Sequence, residues 1–286
     1  MSLSRAVRVV SVMAALACVA LLVWALLDAF RYPVESLATR VPSRTSLMRT
    51  REAQAQRAGR PHAIRQRWLG YERLSPLLRR AVLIAEDDAF FAHGGLDWNE
   101  LRVSARANLE ARKVVRGGST ITQQLARNLY LSDQRTLTRK LTEMVLAWRL
   151  ERALSKRRIF ELYLNLIEWG DGVYGADAAA RHWFGHSASE LTPREATALA
   201  AVIINPRRFS PVAPSKRIER RIRMIARRLE RRGALTAEQT NQALGLPPAE
   251  RPDAAPADSM ELSPPEPMPA AEPALDSAGL SPPELP

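Results

Sequence analysis

Two glutamates, Glu86 and Glu143, bracket a Gly117-Gly118-Ser119-Thr120 turn and a group of cations, Arg127, Arg135, Arg139 and Lys140. A pair of carboxylates suits acid and base chemistry at a sugar. Cations held in place suit a phosphate leaving group, which gains charge as its bond to carbon breaks. The combination points to making a glycosidic bond from a sugar diphosphate rather than cutting one.

Each signal is weaker alone than in company. Glu86 follows an apolar helical stretch, where partial burial would raise its pKa and suit it to taking a proton from a sugar hydroxyl. Asp87 and Asp88 directly beside it leave open which acid acts. The glycine turn leads into a helix, with Gln123 completing a capping box on Thr120, and free amides at such a start can bind an anion. Glycine turns before helices are common without any ligand, and basic runs are usually solvated faces. It is the two together that favour a diphosphate site. His93 is one of four histidines, at 62, 93, 182 and 186, too scattered for a metal cluster, so it reads as structural. The single cysteine, Cys18, excludes a disulfide within the chain and a zinc site of clustered cysteines.

The elements that must position these residues read as helices. Leu77, Ala81, Val82 and Ala85 follow helical spacing into Glu86. A second helix is predicted from about Leu137 to Leu154, with Leu137, Leu141, Val145 and Trp148 on one face and Lys140 and Glu143 on the neighbouring one. Helices are also predicted at Lys156 to Leu166 and Ala176 to Phe184, and behind capping boxes at Thr192–Glu195 and Thr236–Gln239. Lys216 to Arg232 sets Ile218, Ile222, Ile225 and Leu229 as a narrow apolar stripe among nine basic residues, a packed helix with a basic outer face or one resting on anionic headgroups. Alternating strands are nearly absent. The domain is therefore mainly α, ending near Gly245.

The flanks set the context. From Val9 to Leu27 no residue is charged, a helix of roughly 28 Å, about a bilayer's hydrocarbon thickness. Arg5 and Arg8 before it put the N-terminus in the cytoplasm and the rest outside. The run is longer than the core of a signal peptide and Leu27-Asp28-Ala29-Phe30 is a poor cleavage site, which favours an uncleaved anchor. Residues 1–30 thus read as cytoplasmic tip and transmembrane anchor, and 31–67 as a membrane-proximal stalk. Residues 68–246 form the catalytic domain, and 247–286, with twelve prolines in forty residues, a disordered acidic tail. That tail holds eight acidic residues and one basic. The first 246 residues carry 41 basic and 22 acidic side chains, an excess of 19 that favours an anionic partner. Placement outside the cytoplasm argues against nucleic acid and leaves anionic lipid or a phosphorylated substrate.

In order along the chain these segments resemble the motifs of the peptidoglycan glycosyltransferases of glycosyltransferase family 51. Glu86-Asp87, Phe90, His93 and Gly95 resemble the first motif, and Gly117-Gly118-Ser119-Thr120-Ile121, Gln123-Gln124-Leu125 and Asn128 the second. Arg139-Lys140 and Glu143 resemble the third, and Lys156, Ile159, Glu161 and Tyr163-Leu164-Asn165 the fourth. Gly172, Tyr174-Gly175-Ala176 and Asn205-Pro206 fit the closing region. The likeness spans roughly Trp68 to Pro211. Phe160 replaces a usual leucine and Arg127 a usual lysine, neither removing a charge or a catalytic group. Ile167-Glu168-Trp169-Gly170-Asp171-Gly172 is similar to the monofunctional members, and no chain is left for a penicillin-binding transpeptidase domain.

The resemblance implies a lysozyme-like helical head with a small membrane-associated jaw near residues 96–116. It implies lipid II and the nascent glycan strand as substrates. Glu86 would be general base on the acceptor 4-hydroxyl, which attacks C1 of the donor with inversion to a β-1,4 link. Undecaprenyl diphosphate would leave, steadied by Arg127, Arg135, Arg139 and Lys140, with Glu143 orienting the reacting groups or helping to hold a divalent cation. Ser119 and Gln124 would hydrogen-bond the substrate. No cofactor is required; Mg or Mn at the diphosphate is the one candidate. The expected address is the bacterial inner membrane, beside penicillin-binding transpeptidases or divisome proteins. Two rival readings remain: a lysozyme-like hydrolase or lytic transglycosylase acting on finished glycan, and a non-catalytic membrane scaffold that grips lipid II.

Overall fold

The long apolar run becomes α1 (Leu3–Phe30), the one described helix long and apolar enough to cross a membrane. The computed structural model describes residues 3–113, 117–134 and 136–247. Contacts divide the chain into one unit, Met1–Ala249, and a second, Glu250–Pro286, which lies outside the described residues together with most of the expected acidic tail.

After a 3₁₀ turn at Val34–Ala38 come α2 (Ser46–Arg57) and the two-residue strand β1 (Arg65–Gln66). Next are α3 (Pro76–Glu86), α4 (Trp98–Glu110), α5 (Ile121–Tyr130), α6 (Leu137–Ala153) and α7 (Lys156–Leu166). The short strands β2 (Glu168–Gly170) and β3 (Val173–Tyr174) pair antiparallel, and β1 lies parallel on the other side of β3. The chain continues through α8 (Ala176–Phe184), α9 (Pro193–Val202), α10 (Lys216–Arg231) and α11 (Ala237–Leu244). The architecture is mainly helical, as the periodicity indicates.

Local chemistry accounts for the boundaries. Ser75 caps α3, with Pro76 in the first turn where a missing amide costs nothing. The capping boxes expected at Thr120, Thr192 and Thr236 are all formed. Gly245 ends α11 in the left-handed conformation that glycine tolerates. The core joins α5 and α7 to a bundle of α3, α9, α10 and α11.

One expectation needs correction. The segment 31–67 is packed into the fold rather than standing off it as a stalk: Val34, Leu37, Met48 and Ala55 are buried, and α2 lies on α5. These apolar residues are few and set among polar and basic ones, too sparse to register as a buried face. On α6 Leu137, at 81% exposed, and Trp148 face outward, Leu141 and Val145 are half-buried, with Val145 packed against the core, and Thr142, Glu143, Leu146, Ala147 and Leu150 are buried. The end of α1 rests on α6, where Thr142 Oγ1 donates to Asp28 Oδ2 at 3.2 Å. On α10 the isoleucine and leucine stripe is wholly buried against α3, α9 and α11, so of its two readings the packed helix with a basic outer face is the one found, and only that basic face can meet a headgroup.

Residues 96–113, within the expected jaw, form α4 and its flanks, leaving Trp98, Val103 and Leu109 exposed; 114–116 lie outside the described residues.

Candidate active site

Glu86 is the last residue of α3, its side chain only 13% exposed. What fixes it is the next residue. Asp87 Oδ2 accepts from the backbone amide of Ile121 at 2.9 Å, satisfying one of the free donors at the start of α5. His93 Nε2 donates to the same carboxylate, at 3.0 Å to Oδ1, and its Nδ1 accepts from the Gly95 amide at 3.2 Å. Asp87 and His93 are therefore the joint between α3 and α5, and Asp88 pairs with Arg232 at the surface. Of the three neighbouring acids, only Glu86 remains for chemistry.

The same joint holds the glycine turn. Thr120 Oγ1 donates to Gly95 O at 2.6 Å. Gly95 itself has φ +90°, and a Cβ there would lie 2.8 Å from Glu151 Cγ, so glycine is required. Gly118 is packed against Leu101 and Ser104 of α4.

Around Glu86 the polar groups form a chain. Tyr163 donates from its hydroxyl to Gln124 Oε1 at 3.0 Å, which turns the Gln124 amide nitrogen to donate to Glu86 Oε2 at 3.2 Å. On the other side Arg221 Nη2, from α10, donates to Glu86 Oε1 at 3.1 Å, while its Nε donates to Ala201 O. Burial pushes the Glu86 carboxyl above its ordinary range, against the opposing pull of Arg221, Gln124 and Arg127. Burial and the nearby Glu86 charge push the Tyr163 hydroxyl well above its own, so it remains a donor.

Glu143 is fully buried on α6. Its Oε2 accepts from Arg139 Nη1 at 2.6 Å and its Oε1 from Lys140 Nζ at 2.5 Å; Lys140 also donates to Ser119 Oγ at 3.3 Å. The carboxylate thus holds two cations beside the glycine turn. Both its oxygens are used, and among the described residues no group of three His, Cys, Asp or Glu could hold a metal. As it stands, Glu143 holds two cations in place. Arg139 Nε is buried with no hydrogen-bond partner among the described residues, a donor left for a ligand's acceptor oxygen.

Gln124, Arg127, Arg139 and Tyr163 line a single cavity of about 310 Å³, closed on another side by Arg51 of α2 and Glu168 of β2. It joins the residues around Glu86 to those around Glu143. Arg135 lies outside the described residues. Arg221, Tyr163, Arg51 and Glu168 were not among the candidates. Arg221 is one of nine basic residues between Lys216 and Arg232, with nothing in its type to single it out. Tyr163 stands in a recognised motif but looks apolar in pattern. The same motif is otherwise structural: Asn165 Oδ1 accepts from Leu69 N and its Nδ2 donates to Leu69 O, clamping the segment that leads into α3.

Residues 52–230, more than half the chain, match the family model described as Transglycosylase. The chain is 47% identical over 188 residues to a biosynthetic peptidoglycan transglycosylase of Methylobacillus flagellatus, covering 66% of this chain and 82% of that protein. It is 46% identical over 200 residues to one of Alcanivorax borkumensis, covering 70% of this chain and 80% of that protein. It is 43% identical over 188 residues to one of Laribacter hongkongensis, covering 66% and 82%.

Proposed function

The chain belongs to the transglycosylase family, and from that premise we propose that it is a peptidoglycan glycosyltransferase that polymerises lipid II into β-1,4-linked glycan with release of undecaprenyl diphosphate. The observation that carries the reading is that one cavity brings Gln124, which holds the buried Glu86 carboxylate, together with Arg127 and with Arg139, whose Nε is an unused donor. A hydrolase of finished glycan has use for the carboxylate and none for the cations.

In this mechanism Glu86 takes the proton from the acceptor 4-hydroxyl as that oxygen attacks C1 of the donor, inverting it. Arg221 and the Gln124 amide hold the carboxylate toward the substrate. The leaving diphosphate accepts from Arg139 and Lys140, with Arg127 alongside. Glu143 keeps Arg139 and Lys140 in place, and because their charges are pre-positioned little reorganisation is needed as negative charge develops. No step needs a metal; a Mg or Mn ion would be held there by the diphosphate rather than by Glu143. The α1 helix would anchor the enzyme in the inner membrane with the catalytic domain outside. The apolar side chains of α4 would rest on the bilayer as the jaw, within reach of a lipid-linked substrate. Transpeptidases that crosslink the product are the expected partners.

The test is Glu86→Gln. Polymerisation of lipid II is expected to fall by about 10²–10⁴-fold, the usual worth of a general base, while lipid II still binds. Unchanged polymerisation would remove Glu86 from the mechanism.

A further inference from the structure

Glu168, on β2, stands in the cavity wall outside the machinery assigned above. Its side chain is 5% exposed, and its Oε2 accepts from Arg51 Nε at 3.2 Å. Its Oε1 is buried and has no hydrogen-bond partner among the described residues. The hydroxyl of Tyr174, directly opposite Glu168 in the β2–β3 register, is buried without a partner too. Buried polar atoms are nearly always satisfied, so an orphaned acceptor in a cavity wall calls for a donor, which water or a ligand entering the cavity supplies.

The chemistry of that donor follows from the charges around it. Arg51 offsets the Glu168 charge. Arg207, the other cation acting on it, donates to Asp171 Oδ1 at 3.0 Å. The cavity wall as a whole holds Arg51, Arg127 and Arg139 against Asp133 and Glu168, so it favours a ligand that is anionic overall. The unused donor, Arg139 Nε, is on α6, whereas the unused acceptor is on β2. A sugar diphosphate satisfies both in one orientation only.

We propose that Glu168, held by Arg51, is a specificity-determining residue that accepts a hydrogen bond from a neutral N–H or O–H of the substrate's saccharide, so that the sugar lies toward β2 and the diphosphate toward α5 and α6. This rests on the glycosyltransferase reading above and adds the direction in which the substrate enters the cavity.

The experiment uses the full chain in vesicles or detergent with labelled lipid II. Glu168→Leu and Glu168→Gln each remove the acceptor; in the second, the amide oxygen stays with Arg51 and a donor takes the orphan position. KM is expected to rise about tenfold with kcat within about twofold, the pattern of a lost binding contact. A residue that merely supports the fold would lower kcat and melting temperature together. A series of substrates, each lacking one hydroxyl or acetamido N–H, supplies the second arm. One of them should raise the wild-type KM to the level of the variants, and the variants should not distinguish it. Variants with wild-type KM, or a wild type indifferent to the whole series, would overturn the subsite while leaving the enzyme's reading intact. A wild type that makes no polymer would overturn the reading and the subsite with it.

Discussion

At the residue scale, the contact between Arg221 and Glu86 has a measurable consequence. Glu86 must be ionised to accept a proton, so kcat/KM should rise with pH through its pKa, and burial sets that limb above the ordinary carboxylate range. Arg221 favours the ionised form. In Arg221→Met that help is gone, so the acid limb is expected to move to still higher pH; in Arg221→Lys, which keeps the charge, it should move less. A pH profile of the two variants checks this, and an unmoved limb would show that the 3.1 Å contact does not tune the base. The sequence shows Glu86, Glu143 and the cations because their types and order are distinctive. It does not show which of three adjacent acids ties the helices together and which is held beside Gln124 and Arg221, because that depends on the amide of Ile121 reaching back to Asp87. Nor does it separate Arg221 from its eight basic neighbours, since the angular position of a helix is set by what its apolar face packs against.

At the scale of elements, α6 joins the apolar helix α1 to the site, since it carries Glu143 and receives the end of α1. Arg149, almost wholly buried on α6, donates to Ala29 O at 2.6 Å and Tyr32 O at 3.0 Å and pairs with Glu35. These carbonyls lie at the C-terminal end of α1, where unpaired acceptors and the helix dipole both favour a cation. Arg149→Met should cost about 2 kcal/mol, read as a melting temperature lower by roughly 4–8 °C. Gly95→Ala is expected to cost more than about 1 kcal/mol and to lower activity as well, because the added methyl would push apart the joint that holds Thr120. Equal melting curves for wild type and Gly95→Ala would contradict the crowding there. The helices behind Thr120, Thr192 and Thr236 were legible almost to the residue, since those caps announce them, whereas α2 and α4 were not read from the pattern. Which face of α6 lies inward was not: the exposed Leu137 and Trp148 are as apolar as core residues, and an exposed apolar side chain is common enough that type alone does not mark the buried face.

At the scale of the whole molecule, the excess of positive charge in the first 246 residues lies on a chain with an apolar N-terminal helix and exposed apolar side chains on α4. The basic face of α10 adds to a surface suited to anionic headgroups and phosphorylated substrate. Polymerisation in vesicles should therefore rise with anionic lipid content and fall as salt shortens the screening length from about 10 Å at 0.1 M. A rate indifferent to both would confine the charge's role to the cavity. The account as a whole turns on synthesis against cleavage. Its most direct test is to offer the full-length protein labelled lipid II and, separately, purified sacculi. The prediction is glycan polymer and free undecaprenyl diphosphate from the first and no soluble fragments from the second. Soluble fragments from sacculi, with no polymer from lipid II, would contradict it.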